Sequence, residues 1–271
     1  MNSTAAINPG NPGAGNFLKE LIRPVVIKDR LIRVGKEADG AYIIPERVLR
    51  QCDVCYSYGI SDNIDFDRAY HQITGHPVQM YDFSVTAPPN LPAPLIFHQE
   101  GLSAAKTANC DNYLVHLRAN GDEHKKVLLK IDVEGAEYDW LLQTDLAEVA
   151  RTAICIVMEF HSLHTQGQIF LQCLEKLKTE YHIVHVHGNN YNGTVPGAPE
   201  VPQVPEITFV HKSAADFSGP VAVKYPLAGL DVPNRHGMPQ MVIDYRAWII
   251  RAPRRLLVQF KNTLKPILQG S

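Results

Sequence analysis

Between residues 54 and 211 the chain alternates short apolar, β-rich runs with segments of helical spacing, and no other feature restricts its fold as much. Seven runs read as strands: 54–60, 78–83, 95–99, 127–133, 154–160, 182–187 and 206–211. Several are apolar nearly throughout, as strands covered on both faces are. Helical patterns at 66–74, 109–120, 137–146 and 166–179 separate them, and the last sets Ile169, Phe170, Cys173, Leu174 and Leu177 on one side. Strands that alternate with helices build a mostly parallel sheet with crossover connections. The expected class is therefore α/β: a Rossmann-like, seven-stranded, mostly parallel sheet with helices on both faces.

A length of 271 residues with 45% hydrophobic content suits one large domain, expected over residues 17–244. Residues 1–16 are Asn, Pro, Gly and Ala with little to bury, and are expected to form a disordered tail. Residues 17–30 suit a short helix broken at Pro24, because proline removes a donor and clashes with the preceding turn. Residues 189–205 read as a Gly/Pro-rich loop after a strand end, either disordered or a lid. Residues 245–271 form a basic amphipathic segment. Over 245–268 it interleaves Trp248, Ile249, Leu256 and Phe260 with Arg246, Arg251, Arg254 and Lys261, a pattern that either packs on its own domain or lies on an anionic membrane surface.

A formal net charge of −2 provides no field to gather nucleic acid. No apolar run approaches the roughly 20 residues that span a bilayer, and the N-terminus lacks the pattern of a signal peptide. The five cysteines are an odd number without a framework, so they read as reduced thiols. The expected location is the cytoplasm, with the inner face of a membrane open through the basic segment. Cys52 and Cys55 form a C-x-x-C without a second pair, which favours packing over a metal. Oligomeric state is not legible.

Three stretches carry chemistry. In CYSYGISDNIDFDRAY, residues 55–70, a strand turns at Gly59 onto Ser61, Asp62 and a helix start. A ligand can approach backbone N–H groups closely at such a turn, although the G-x-G-x-x-G fingerprint is absent. In VQMYDFS, residues 78–84, Asp82 ends the next strand about twenty residues later, where Rossmann-type sites hold a carboxylate that accepts from ribose hydroxyls. In KVLLKIDVEGAEYDWL, residues 126–141, a buried strand ends in Asp132 and Glu134. Carboxylates there are costly to desolvate, so they face a crevice or a cation. Glu137 and Asp139 are ordinary acids of a first helical turn.

KIDVEGAEYDWL resembles the motif of the FkbM-type methyltransferases. RLIRVGKEADGAYIIPE, residues 30–46, is similar to the R-x-G-x-x-x-D-G-G-Y opening of a related methyltransferase-like branch, with Ala41 where that branch has a second glycine. Glu159 and His161 match that branch's E-x-H after the fifth strand. The resemblance implies a class I methyltransferase fold, S-adenosylmethionine as methyl donor, and O-methylation of sugars or polyketide-like metabolites. It further implies that Gly59 and Ser61, with Asp62 beside them, border the methionine moiety. Asp82 with Phe83 would take the ribose, Glu100, Gly101 and Leu102 would flank the adenine, and Asp132 would face donor and acceptor.

Three strand ends carry ligand-type side chains: Asp132, then Glu159 and His161, then His185 and His187. With those strands adjacent, Asp132, Glu159 and His187 would hold Mg²⁺ or Mn²⁺. Alternatively His161 or His187 is a general base, or the imidazoles are hydrogen-bonded crevice residues. Asn189 and Asn190 are expected to meet an acceptor hydroxyl, most simply on a glycan or glycolipid sugar. The rival from another class is a non-catalytic Rossmann-like module that binds a nucleotide sugar or a partner.

Overall fold

The computed structural model describes residues 12–246. Its frame is a seven-stranded sheet of β1 (Val54–Tyr58), β2 (Val78–Tyr81), β3 (Leu95–His98), β4 (Val127–Ile131), β5 (Ala153–Glu159), β6 (Tyr181–Gly188) and β7 (Pro205–His211). Their spatial order is β3-β2-β1-β4-β5-β7-β6. The pairs from β3 through β5 are parallel, whereas β7 runs antiparallel to both β5 and β6. The sheet therefore reverses direction of growth between β1 and β4, the crevice-forming switch point of open α/β sheets. This is the Rossmann-like class I methyltransferase fold.

Side chains alternate across each strand, and the two faces carry two separate cores. Val54, Tyr56 and Tyr58 of β1 join Leu129, Ile156 and Phe209 under helices α2 (Tyr113–Ala119), α3 (Ala136–Gln143) and α4 (Leu163–Glu180). Cys55, Val78, Leu128 and Val157 face the other way, against Phe66 and Tyr70 of α1 (Asp65–Thr74) and the hairpin Leu31–Val34/Tyr42–Pro45. Because both faces are covered, the strands are apolar almost throughout. Cys52 and Cys55 are buried thiols outside any disulfide.

Two expectations about local structure need correction. The tail expected over 1–16 gives way at Pro12, where a helix begins (Pro12–Leu21). Proline suits a first helical position because the N–H it lacks has no partner there. Leu18 and Ile22 are buried, and Gly15 lets the backbone approach Ala198, which a Cβ would meet at 2.8 Å. The loop expected over 189–205 contains the antiparallel pair Thr194–Val195/Ala198–Pro202. Val195, Ala198, Val201 and Val204 are buried, so the segment is anchored by apolar burial and is no free lid. The basic segment expected at 245–271 lies outside the described residues from 247 onward. Among the described residues no helix is long and apolar enough to cross a membrane.

Phe170 of α4 packs edge-on against Phe160 just past β5, with ring centroids 4.9 Å apart. Both rings are fully buried. Phe170→Ala should lower the unfolding free energy by about 3–5 kcal/mol, measured by urea denaturation. A loss below about 1 kcal/mol would mean that α4 does not cover this face as described.

Candidate active site

At the carboxyl ends of β1, β2 and β4 lies a cavity of ≈ 310 Å³, lined among others by Gly59, Ser61, Asp82, Leu102, Asp132 and Glu134. Its floor is a junction between two chain segments. Gly59 has φ +74°, and a Cβ there would stand 1.6 Å from the Asp132 carbonyl oxygen. Only glycine fits such an approach. The junction is stitched by Asp132 N–H to the Tyr58 carbonyl (3.1 Å) and Gly59 N–H to the Tyr81 carbonyl (3.0 Å). The buried Lys130 also donates from Nζ to the Gly59 carbonyl (2.7 Å) and lies 3.6 Å from Asp132 Oδ2.

Asp82 stands beside the Gly59 turn. Its Oδ2 accepts from Ser61 N–H (2.9 Å) and its Oδ1 from Ser84 N–H (2.8 Å) and Ser84 Oγ (2.6 Å). Burial alone would raise its pKa. The hydrogen bonds from Ser84 and Ser61 outweigh that and hold it below the usual carboxylate value, so the side chain is an anion at neutral pH. Phe83 is 52% exposed on the wall. The wall also takes Gly101, whose added Cβ would stand 2.6 Å from Phe83.

Beyond Asp132 the crevice becomes anionic. His161 Nε2 lies 3.4 Å from Glu134 Oε2, 3.7 Å from Asp132 Oδ1 and 3.7 Å from Glu159 Oε1. Its other nitrogen, Nδ1, is 3.2 Å from Glu137 Oε1, which also accepts the His161 backbone N–H at 2.9 Å. Glu137 Oε2 accepts from Gly135 N–H (2.8 Å). Glu137, fully buried, thus fixes the ring from behind. Burial lowers the His161 pKa, and the hydrogen bond and charge of Glu137, with Asp132 and Glu134, more than reverse this. Glu159 is pushed well above the usual range by burial first and then by Asp132, Glu206 and Asp39. Backbone strain collects here too: Ser61, Glu134 and Ser162 all have positive φ (47°, 53° and 56°), a conformation costing non-glycine residues about 1–3 kcal/mol.

Of the residues singled out from sequence, Gly59, Ser61, Asp82, Phe83, Gly101, Leu102 and Asp132 meet on one cavity. Asp62 does not join them; it is exposed in the turn. Glu100 pairs with Lys106 (2.5 Å) and His116 (3.4 Å) instead of lining the wall. His187 is separated from Asp132 and Glu159 by β7. Glu159 and His187 both lie opposite Glu206, in the flanking strands, so they are two strand spacings, about 10 Å, apart. His187 Nδ1 pairs with Glu206 Oε2 at 2.9 Å, beside a hollow of ≈ 10 Å³ lined by Arg33, Tyr42, His185 and Asp231, room for about one water. His185 is held by Asp231 (3.1 Å). Asn189 donates to Glu159 (3.1 Å), and Asn190 donates to carbonyls of Arg235 and Met238, so both amides are tied internally.

Sequence reasoning passed over Lys130, Glu137 and Tyr42. The signal for Lys130 was a cation inside an otherwise apolar strand. Glu137 was disguised by the ordinary preference for acids in a first helical turn.

Gly59→Ala should destabilise the protein by on the order of 3 kcal/mol, since it adds left-handed strain and forces β1 from β4; chemical denaturation measures this. For His187, burial lowers the pKa, but the charge and hydrogen bond of Glu206, with Asp231, raise it above 6.5 overall. A raised folded-state value means the pair stabilises fully below 6.5 and loses its contribution as pH climbs through that value. The stability gap between wild type and His187→Gln should therefore narrow as the pH rises above 6.5. A gap that stays constant or widens contradicts the pairing.

The geometry agrees with what the chain is similar to. Residues 37–196, more than half the chain, match the family model described as Methyltransferase FkbM domain. No curated protein matches. Among solved structures, a chain from a crystal structure of a fibrillarin/Nop5p complex is similar at 12% identity, with 60% of this chain and 73% of that chain covered and a TM-score of 0.37. The chain belongs to the FkbM methyltransferase family, and it is a methyltransferase.

Proposed function

We propose that the protein transfers the methyl group of S-adenosylmethionine to a hydroxyl oxygen of a small polar acceptor, most simply a sugar hydroxyl of a glycan or glycolipid. One observation carries the donor: a carboxylate held ionised, Asp82, and a glycine turn with no room for a side chain, Gly59, line the same ≈ 310 Å³ cavity side by side, joined through Ser61 N–H. A cavity of this size with a few convergent polar groups suits a cofactor-sized ligand. S-adenosylmethionine, when bound, supplies a sulfonium-activated methyl group.

The chain's own residues do the rest. Asp82 Oδ2, which accepts only from Ser61 N–H, keeps capacity for a ribose hydroxyl, and such a bond to a charged group contributes about 1.5–3 kcal/mol. The Gly59–Ser61 backbone borders the methionine end, while Phe83, Gly101 and Leu102 enclose the base. The acceptor oxygen comes from the side of Asp132 and His161, where its proton is withdrawn. With the methyl already activated, rate comes mainly from holding carbon and oxygen in line, and deprotonation adds about 10²–10⁴-fold.

Isothermal titration with S-adenosylmethionine tests the reading. Wild type should bind with one site, and Asp82→Ala should lose at least about tenfold in affinity, matching one lost charged hydrogen bond. Absence of heat at millimolar ligand would favour a non-catalytic module that binds a nucleotide sugar or a partner. Transfer of a labelled methyl to a panel of hydroxyl-bearing acceptors then identifies the product.

A further inference from the structure

We propose that the hollow beside His187 binds a single uncharged hydroxyl oxygen, of water or of a polyol acceptor, between the hairpin that carries Arg33 and Tyr42 and the strands β6 and β7. The hollow shares no lining residue with the donor cavity. Only the acceptor as a source of that oxygen rests on the methyl-transfer reading; the oxygen site stands by itself.

Most polar groups on the wall satisfy one another. His187 Nδ1 pairs with Glu206 Oε2 (2.9 Å), His185 Nε2 with Asp231 Oδ1 (3.1 Å), and Thr208 Oγ1 donates to the Ile43 carbonyl (2.7 Å). Two wall residues are left over. Tyr42 is 3% exposed, and its hydroxyl has no hydrogen-bond partner among the described residues. The same holds for the buried Nη2 of Arg33. Next to the wall, Asn234 gives its Nδ2 to Asp39 Oδ1 (2.8 Å) and to Glu206 Oε1. Both partners are acceptors, which fixes the amide and leaves its buried Oδ1 without a partner among the described residues. Native interiors leave few such atoms unpaired. Three of them on and beside a hollow of ≈ 10 Å³ point to one bound atom of water's size.

The free atoms select the ligand. An arginine nitrogen only donates, an amide oxygen only accepts, and a phenol does either. An atom that meets all three must accept and donate, as a hydroxyl oxygen does. Chloride or a bare carbonyl has no proton for Asn234, and an ammonium has no lone pair for Arg33. Charge agrees. Glu206 and Asp231 each hold an imidazole, and Arg33 lies in the field of Asp231, Glu37 and Glu206, so no charge is left that calls for an ion. Arg33, Asp39 and Tyr42 are polar positions of the segment 30–46, and the hollow is where they meet. Tyr42 also lies in the field of Asp132 and Glu159, which sets the hollow towards the acceptor end of the donor cavity. His187 and Glu159 are two strand spacings, about 10 Å, apart. An acceptor reaching both ends is therefore of disaccharide length, not a single ring.

The test is a crystal structure of the full-length protein with S-adenosylhomocysteine, at a resolution that shows ordered water, grown without sugar and again with maltose, cellobiose or trehalose. One oxygen should stand within hydrogen-bond distance of the Tyr42 hydroxyl and Arg33 Nη2. A discrete oxygen unchanged by sugar identifies water as its source; density continuous with a sugar ring identifies the acceptor. Side chains closed on one another with no oxygen between them, or an ion in its place, overturn the proposal. In solution, Tyr42→Phe removes only the hydroxyl. If that hydroxyl holds a bound oxygen, the urea midpoint should fall by about 0.2–0.5 M. Removing an unbonded buried hydroxyl leaves the midpoint unchanged or raises it, and that result equally overturns the proposal. Tyr42→Phe should keep the wild-type affinity for S-adenosylhomocysteine. Failure of wild type to bind S-adenosylhomocysteine would overturn the methyl-transfer reading, and the acceptor as a source with it, while the midpoint shift of Tyr42→Phe would still decide the oxygen site.

Discussion

The contact on which the site depends is the approach of Gly59 to the carbonyl of Asp132. It joins the end of β1 to the end of β4, the two strands that flank the reversal in sheet order. Parallel neighbours grow apart in sequence but not in space, so a turn near residue 59 and a motif near residue 132 become opposite walls of one crevice. The closeness has a price in side-chain freedom, and Gly59 meets it by having no side chain. Lys130 then uses the same carbonyl edge: it satisfies a buried oxygen and supplies positive charge beside Asp132. Move β1 by an ångström and the turn, the lysine and the carboxylate lose register together.

Strand order explains which side chains can cooperate. If β5 and β6 were neighbours, Glu159 and His187 would share one ledge. The antiparallel β7 lies between them, and Glu206 faces both. His187 is thereby paired with Glu206, while Glu159 is left with His161 on its own strand end. One strand inserted against the direction of its neighbours thus divides the ionisable groups into two sets. The first, around His161, borders the open cavity; the second, around His187, Arg33 and Asp231, surrounds a hollow of ≈ 10 Å³.

Much of this was legible in sequence, for stated reasons. Seven strands covered on both faces carry nearly continuous apolar runs, so their positions stand out, and all seven appear within one or two residues of expectation. Gly59, Asp82 and Asp132 were legible because each interrupts such a pattern at a strand end with a residue that burial does not explain. What was not legible depended on pairing. Nothing in the residues 182–211 announces that β7 enters between β5 and β6, so His187 read as a partner of Asp132. Asp62 and Glu100 failed for a local reason: an acid next to a turn satisfies a turn or a lysine as readily as a ligand, and Glu100 has Lys106 at 2.5 Å. The Gly/Pro-rich 189–205 stretch read as a loop because hairpin strands this short carry no periodicity.

Glu137 shows how the remaining pieces fit. A fully buried carboxylate is costly unless every lone pair is used. Its acceptances from Gly135 N–H, His161 N–H and the imidazole all come from groups that the acidic motif itself brings within reach. Gly135 can present its N–H because it sits at φ 108°, and Glu134 precedes it at φ 53°. The left-handed strain of Glu134 is thus held by the same hydrogen bonds that lock the histidine. Glu134, pushed outwards by that turn, ends with its carboxylate 3.4 Å from the far imidazole nitrogen. The D-V-E-G-A-E spacing therefore does two things at once: it exits β4 into α3, and it sets an oriented imidazole and two carboxylates around one point at the mouth of the cavity.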